Sequence, residues 1–280
     1  MKANKKERLD TLLVLKGFFE TKNQAQAAIM AGNVRLNSQV ITKAGTQIQD
    51  KPDLLIEVEN LPYVSRGGFK LEKALHEFNI NVQDKICLDA GASTGGFTDC
   101  ILQKGAKKVY AVDVGYGQLA WKLRTDARVC VIERTNIRSV SPSEVYKDID
   151  IQAKENYAEL AVMDLSFISL IKVIENVKSL MHPDKQEILA LIKPQFEAGK
   201  DQVPKNGVIK DKNIHVNVIK NIVEYTCTIN LYPVNLTYSP IKGPAGNIEY
   251  LIYLTNNKNN FSEEEIITVV NNAYDRLSTN

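Results

Sequence analysis

No apolar run in the chain approaches the ~20 residues that a membrane-spanning helix requires, so an integral membrane protein is not expected. Cysteine is scarce. The four present, Cys87, Cys100, Cys130 and Cys227, form neither a C-x-x-C pair nor any other metal-ligand spacing. Cys87 and Cys130 sit inside apolar, strand-like runs, where a thiol behaves as a small hydrophobe. That pattern predicts reduced core cysteines in an intracellular protein. The three histidines, His76, His182 and His215, are too scattered to suggest a metal site, and no metal is expected. The basic start between Lys2 and Arg8 leads only into a short apolar stretch, residues 12–15, and then Lys16, which predicts no secretory leader. A Walker lysine is missing, and so is the G-x-G-x-x-G pattern of dinucleotide loops. Internal repeats and low-complexity tracts are absent as well. A disulfide scaffold, a zinc module, a P-loop enzyme and a direct pore-former are thereby disfavoured, and a cytoplasmic globular protein is expected.

What is present is ordinary globular composition: 280 residues, 44% hydrophobic and 24% charged, with a net charge of +2. The charge is uneven. The first 73 residues carry twelve Lys and Arg against eight Asp and Glu, while the remainder is slightly acidic. A basic excess at one end suits a polyanionic partner.

Three parts separate along the chain. Residues 1–60 read as a small α+β unit. Leu9, Leu12, Leu13, Leu15 and Phe18 fit one helix, and residues 24–31 a second, ended by Gly32. Short strands follow at 33–36, 39–41 and 54–58. Residues 61–68, opened by Leu61-Pro62, read as a linker. Residues 69–280 then alternate helix and strand. Strands are expected at 85–89, 108–113, 128–133, 160–164 and 187–192. Helices are expected at 69–78, 98–104, 119–124, 168–181 and 214–225. Two last strands, 231–237 and 248–254, suit an antiparallel edge, and 262–277 a capped surface helix. The pattern predicts a doubly wound α/β sheet, mostly parallel, with a small N-terminal α+β domain.

The first strand of the sheet runs into Asp89-Ala90-Gly91-Ala92-Ser93-Thr94-Gly95-Gly96-Phe97. A glycine-rich turn between strand and helix lets backbone approach a ligand at the carboxyl end of a sheet. Ser93 stands where a second glycine would admit a pyrophosphate, which favours a ligand without phosphate. A sulfonium-bearing amino acid joined to a nucleoside fits that description. Asp89 closes the first strand and can face an amine or sulfonium. Asp113 closes the second strand and can accept both hydroxyls of a ribose. The same residues would also serve as a tight turn with two capping acids; two acids at two strand ends favour the ligand site.

Several longer runs carry a more specific likeness. Leu88 to Thr98, Val112-Asp113-Val114-Gly115-Tyr116-Gly117-Gln118-Leu119, Asp164-Leu165-Ser166-Phe167-Ile168-Ser169, Lys193-Pro194-Gln195-Phe196-Glu197 and Gly246-Asn247-Ile248-Glu249-Tyr250 are ordered along the chain. In these runs the sequence resembles the haemolysin A (TlyA) family of rRNA 2′-O-methyltransferases. The N-terminal unit resembles S-four-type RNA-binding domains through Arg8-Leu9-Asp10 and the run from Ala28 to Asn37. The resemblance implies an FtsJ-like, Rossmann-like methyltransferase fold with S-adenosylmethionine as cofactor and rRNA or ribosomal subunits as partner. It also implies methyl transfer to a ribose 2′-hydroxyl, of a cytidine in 23S or 16S rRNA. By the same resemblance the catalytic set Lys-Asp-Lys-Glu falls on Lys70, Asp164, Lys193 and Glu249. The cofactor loop falls on Asp89, Gly91, Ala92, Ser93, Thr94, Gly95, Gly96, Phe97 and Asp113.

Expected phosphate contacts are Lys5, Lys6, Arg8, Lys22, Arg35 and Lys43, with Arg66 at the domain junction. Thr21-Lys22 stands where such modules usually carry Ser-Arg. A glycine- and lysine-bearing loop at 199–212 is expected to cover the bound nucleotide. Two other readings stay open at this stage: a haemolysin that attacks membranes, and an RNA-binding protein that does not catalyse. A monomer is the expectation.

Overall fold

A computed structural model describes residues 6–19, 21–51, 53–58 and 62–277. The N-terminal unit is built from short pieces because its sequence offers only short apolar runs. Strand β1 (Lys6–Arg8) leads into α1 (Leu9–Leu15), and α2 (Lys22–Met30) follows. The Thr21 hydroxyl and the Gln24 side chain form a reciprocal capping box at the start of α2. Strands β2 (Val34–Leu36) and β3 (Gln39–Val40) form a hairpin, and β4 (Gln47–Gln49) and β5 (Ile56–Val58) complete the unit. Asn37 and Ser38, both left-handed, make the two-residue turn of that hairpin. Strand β2 pairs with β3 and β5, while β1 pairs with β4. Leu9, Leu13, Ala25, Ile29 and Val34 fill the core. The β1–β4 pair was not foreseen: Lys6-Glu7-Arg8 and Gln47-Ile48-Gln49 contain one apolar residue between them, so periodicity carried no signal.

One buried charge organises this unit. Asp10 is fully buried. Its carboxylate accepts from the Arg8 guanidinium at 3.1 and 2.7 Å, from Gln26 at 2.7 Å and from the Thr11 N–H at 2.8 Å. Burial opposes its ionisation, but these donors prevail and bring its pKa down to about 2.

The remaining chain opens with α3 (Gly67–Glu77), so the helix begins inside the stretch expected to link the domains. Then come β6 (Ile86–Ala90), α4 (Gly96–Gln103), β7 (Lys108–Val112), α5 (Trp121–Arg124), β8 (Val129–Ile132) and α6 (Pro142–Val145). Next are β9 (Leu160–Met163), α7 (Ile174–Ser179), β10 (Glu187–Ile192), α8 (Pro194–Glu197), α9 (Lys212–Thr228), β11 (Tyr232–Tyr238), β12 (Tyr250–Thr255) and α10 (Glu263–Leu277). Seven strands form one sheet in the order β11-β12-β10-β9-β6-β7-β8. The five from β10 to β8 are parallel, and at one edge β12 runs antiparallel between β10 and β11. Strands β6 and β9 are buried almost throughout, as their unbroken apolar runs require between two helical layers. The winding turns back between β6 and β9, because β6, β7 and β8 proceed one way and β9 and β10 the other. Such a switch point leaves a crevice at the carboxyl ends of the strands.

The helix expected over 168–181 is broken into a 3₁₀ turn, Leu170–Lys172, and α7. The Leu170 N–H is taken by the Glu197 carboxylate at 2.8 Å, a partner from a distant segment that periodicity cannot register. Among the described residues no helix is long and apolar enough to cross a membrane.

Replacing Asp10 by Ala strands the Arg8 and Gln26 donors and should destabilise the N-terminal unit by about 2 kcal/mol, as for lost hydrogen bonds to a charged group. A carboxylate depressed from about 3.9 stabilises fully above that value and progressively less as pH falls towards 2. Amide exchange in α1 and α2 of the full chain should therefore accelerate at neutral pH while β6, β9 and β10 stay protected. Unchanged exchange in α1 and α2 refutes the role of Asp10.

Candidate active site

Strand β6 delivers the glycine-rich turn to the switch point. The N–H groups of Gly91 and Ala92 bond to the Val112 carbonyl at 2.9 and 3.1 Å, which pins the turn to the end of β7. Gly91 has φ +92, and a Cβ there would meet the Asp164 carbonyl oxygen at 2.8 Å, so only glycine fits. Asp113 accepts from the Ser93 N–H at 2.8 Å and from the Gly115 N–H at 2.6 Å. Asp89 lies fully buried beneath the turn. The Thr98 hydroxyl donates to its Oδ2 at 2.6 Å, and its Oδ1 has no partner among the described residues. Burial, helped by the nearby charges of Asp164 and Asp113 and opposed by Thr98, raises its pKa to about 7. A buried carboxyl with an unused oxygen under a backbone cradle is what a cationic ligand with a ribose would complete.

Two ion pairs stand beside the turn. The Lys70 ammonium, from α3, reaches Glu249 Oε2 at 2.6 Å, across 179 residues of sequence. Lys193, which follows β10, reaches Asp164 Oδ1 at 2.5 Å and donates to the Ser166 hydroxyl at 2.9 Å. All four groups lie at the carboxyl end of the parallel strands or on the helix facing it. Burial pushes the Lys70 pKa down, yet Asp164 and Glu249 together push it further up, so Lys70 stays charged. Burial likewise opposes ionisation of Asp164, but Lys193 and Lys70 outweigh it and hold its carboxyl below the ordinary value. Glu249 is fully buried, and its Oε1 is unpartnered among the described residues. A Cβ on Gly243 would sit 2.4 Å from that oxygen, so a side chain there would displace the Glu249 carboxylate.

Lys70, Asp164 and Lys193 open into a cleft of about 1000 Å³ whose opposite wall comes from the N-terminal unit, with Arg35, Gln39 and Thr42. A model of the FtsJ-like methyltransferase family matches residues 63–256, and an S4-domain model matches residues 7–51. The chain belongs to the FtsJ-like methyltransferase family. It is 46% identical, over 98% of its length and 96% of the relative, to YqxC of Bacillus subtilis, provisionally named an rRNA methyltransferase. It is 40% identical to the 16S/23S rRNA (cytidine-2′-O)-methyltransferase TlyA of Mycobacterium tuberculosis, over 89% of this chain and 90% of that one. Among solved structures, a Streptococcus thermophilus protein provisionally described as a hemolysin superposes with a TM-score of 0.75. It is 41% identical and the match covers 99% of this chain and 98% of that one. S-adenosylmethionine is the cofactor of this FtsJ-like methyltransferase, and the turn and its two acids fit it.

Gly91, Ala92, Ser93, Thr94, Gly96 and Phe97 line the cleft. Gly95 instead backs onto Leu119 and Leu123, and Asp89 and Asp113 act from beneath and beside the turn. The residues expected to touch RNA are more dispersed. Arg35 and Arg66 line the cleft. Arg8 is paired with Asp10, and the Lys22 ammonium is 3.9 Å from the same carboxylate. Lys6 and Lys43 are exposed, and Lys5 lies outside the described residues. The loop at 199–212 does not reach the cleft as expected. Asn247 ties it down by donating to the Gly207 carbonyl at 2.8 Å and accepting from the Ile209 N–H at 3.0 Å. The cleft wall is formed instead by residues 240–246.

Two site residues were missed by sequence reasoning. Ser166 binds the Lys193 ammonium. Phe167 is 90% exposed with φ +64, a strained conformation for a bulky residue, and its ring lies 5.0 Å from that of Phe196. Both stand in the run that begins at Asp164, and only that motif could have drawn attention to them.

The raised pKa of Asp89 makes cofactor binding proton-linked. A cationic ligand over the turn favours the ionised carboxyl, so a proton must leave when binding occurs below about pH 7. Affinity for S-adenosylmethionine should rise by up to about tenfold per pH unit through that range and level off above about pH 8. Titration calorimetry across pH in buffers of different ionisation enthalpy reads both the affinity and the proton. A flat affinity between pH 6 and 8 refutes the linkage.

Proposed function

We infer that this chain methylates a ribose 2′-hydroxyl of ribosomal RNA, with S-adenosylmethionine as methyl donor and a cytidine as target. The observation that carries this reading is the convergence of Lys70, Asp164 and Lys193 on one cleft beside the glycine-rich turn, with Glu249 buried behind Lys70 and paired to it. When bound, the cofactor supplies a methyl group already activated by a cationic sulfur. The protein's work is then to align the 2′-oxygen with that methyl and to remove one proton. Lys193 holds the 2′-oxygen. With the cofactor bound, Lys193 would orient the 2′-oxygen towards the methyl group, and the Asp164 carboxylate paired with Lys193 would take up the 2′-hydroxyl proton. Lys70, kept charged by its two carboxylates, faces the remaining polar groups of the sugar, and Glu249 holds Lys70 in place from behind.

The N-terminal unit, residues 1–60, is the RNA-holding module, followed by a junction at 61–68 and the methyltransferase domain at 69–280. Arg35 and Arg66 face the cleft and suit the phosphates that flank the target, with Lys5, Lys6, Arg8, Lys22 and Lys43 as outlying contacts. The exposed ring of Phe167, against Phe196 of the segment that carries Lys193, offers a face on which an unstacked base can rest, a contact typical of single-stranded RNA recognition. A monomer acting on ribosomal subunits in the cytoplasm is the assembly we propose.

Replacing Lys193 by Ala should lower methyl transfer by about 10³-fold, in the range that proton transfer and orientation together supply. S-adenosylmethionine binding should stay within about twofold, since Lys193 is not part of the turn. Radiolabelled cofactor with ribosomal subunits lacking the modification measures the first, and calorimetry the second. Wild-type turnover in the variant would sink the assignment. No label from the wild-type protein on either subunit would sink the rRNA reading itself.

A further inference from the structure

The motif Lys193-Pro194-Gln195-Phe196-Glu197 ends in a carboxylate for which methyl transfer has no task. Glu197 closes α8, four residues after Lys193. Its Oε2 accepts from the Ser169 hydroxyl at 2.6 Å, and its Oε1 from the Leu170 N–H at 2.8 Å. Both donors belong to the segment that begins at Asp164. Burial pushes the Glu197 carboxyl up from its ordinary value, and the hydrogen bonds from Ser169 and Leu170 hold it back.

The same two segments meet again at their other end, where Lys193 engages Asp164 at 2.5 Å and Ser166 at 2.9 Å. Midway between, the rings of Phe167 and Phe196 lie 5.0 Å apart. The turn after β9 and the turn after β10 are thus fastened at two points with a ring contact between them. One residue of the first turn, Phe167, is left-handed, a conformation that persists only when its flanks are fixed. Capping the 3₁₀ turn at Leu170 would not by itself call for this arrangement. A local Ser or Asp acceptor satisfies such an N–H without burying a charged group brought from 27 residues away.

We propose that Glu197 is a positioning residue for Lys193: by latching Ser169 and Leu170 it fixes the spacing between the Asp164 and Lys193 turns, and so sets where the Lys193 ammonium stands against the ribose. This rests on the assignment of Lys193 above. Removing the latch lets the two turns slide while the cofactor turn, held by Val112 and Asp113, keeps its shape.

The test is a kinetic series on the full-length protein with ribosomal subunits and S-adenosylmethionine. Glu197→Ala should lower kcat by about 10- to 100-fold, the loss expected from a misplacement near 1 Å. Its cofactor Kd and its KM for the subunits should stay within about twofold. Glu197→Gln can still accept from the Leu170 N–H and donate to the Ser169 hydroxyl, and should remain within about threefold of wild type. Adding Glu197→Ala to Lys193→Ala should lower the residual rate no further, since a residue that acts through Lys193 has nothing left to act on. A kcat within twofold of wild type in Glu197→Ala overturns the latch, as does an additive loss in the double variant or a parallel loss of cofactor binding. If Glu197→Ala does not fold, Ser169→Ala removes half of the latch and should lower kcat by about three- to tenfold with cofactor binding intact, as for one hydrogen bond to a charged group; an unchanged kcat there overturns it equally. An active Lys193→Ala defeats the underlying assignment. An inactive Lys193→Ala beside a normal Glu197→Ala defeats the latch alone.

Discussion

Two lysines and two carboxylates drawn together at one end of a parallel sheet, with Asp164 alone partly exposed, are costly to desolvate unless each charge meets a counter-charge in good geometry. Here Lys70 meets Glu249, and Lys193 meets Asp164, with Asp164 also holding Lys70 electrostatically. This pairing constrains much else. It fixes α3 against β12, and the turn after β9 against the turn after β10. Glycine is required at Gly91, where a side chain would strike the Asp164 carbonyl, and a side chain at Gly243 would displace the Glu249 carboxylate. The pairs also leave spare hydrogen-bonding capacity, most clearly at Glu249 Oε1. A network that stabilised the fold alone would be expected to satisfy every group.

The sheet's topology explains why such a network can lie open to a ligand. Strand order reverses between β6 and β9, so the chains leaving their carboxyl ends diverge and a crevice opens. The glycine-rich turn occupies one side of it and the ion pairs the other. The N-terminal unit closes the far wall with Arg35, Gln39 and Thr42, while Arg66 at the junction faces the same space. Under the proposed function, an RNA strand in this cleft would meet side chains of both modules at once.

The latch at Glu197 extends the same logic outward. The groups nearest the chemistry are held by charge. The turns that carry them are held by hydrogen bonds from one carboxylate to a hydroxyl and an N–H. That arrangement holds Phe167, exposed and left-handed, against the ring of Phe196.

Much of this was legible in the sequence. Continuous apolar runs such as Leu160 to Met163 announce strands buried on both faces, and the glycines after Asp89 announce a turn at a strand end. Ordered motifs pointed to Lys70, Asp164, Lys193 and Glu249 through their likeness to a family, although Lys70 by its spacing alone reads as the solvated face of a helix. What periodicity could not supply were the contacts between distant segments. The 168–181 helix breaks where Glu197 takes the Leu170 N–H, the 199–212 loop is tied to Asn247, and Arg8 is turned onto the buried Asp10. Local sequence determines which way a strand or helix faces, because side-chain periodicity is a property of a few neighbouring residues. Which charges meet, and which oxygens are left without a partner, is decided only when segments up to 179 residues apart are brought to one end of one sheet.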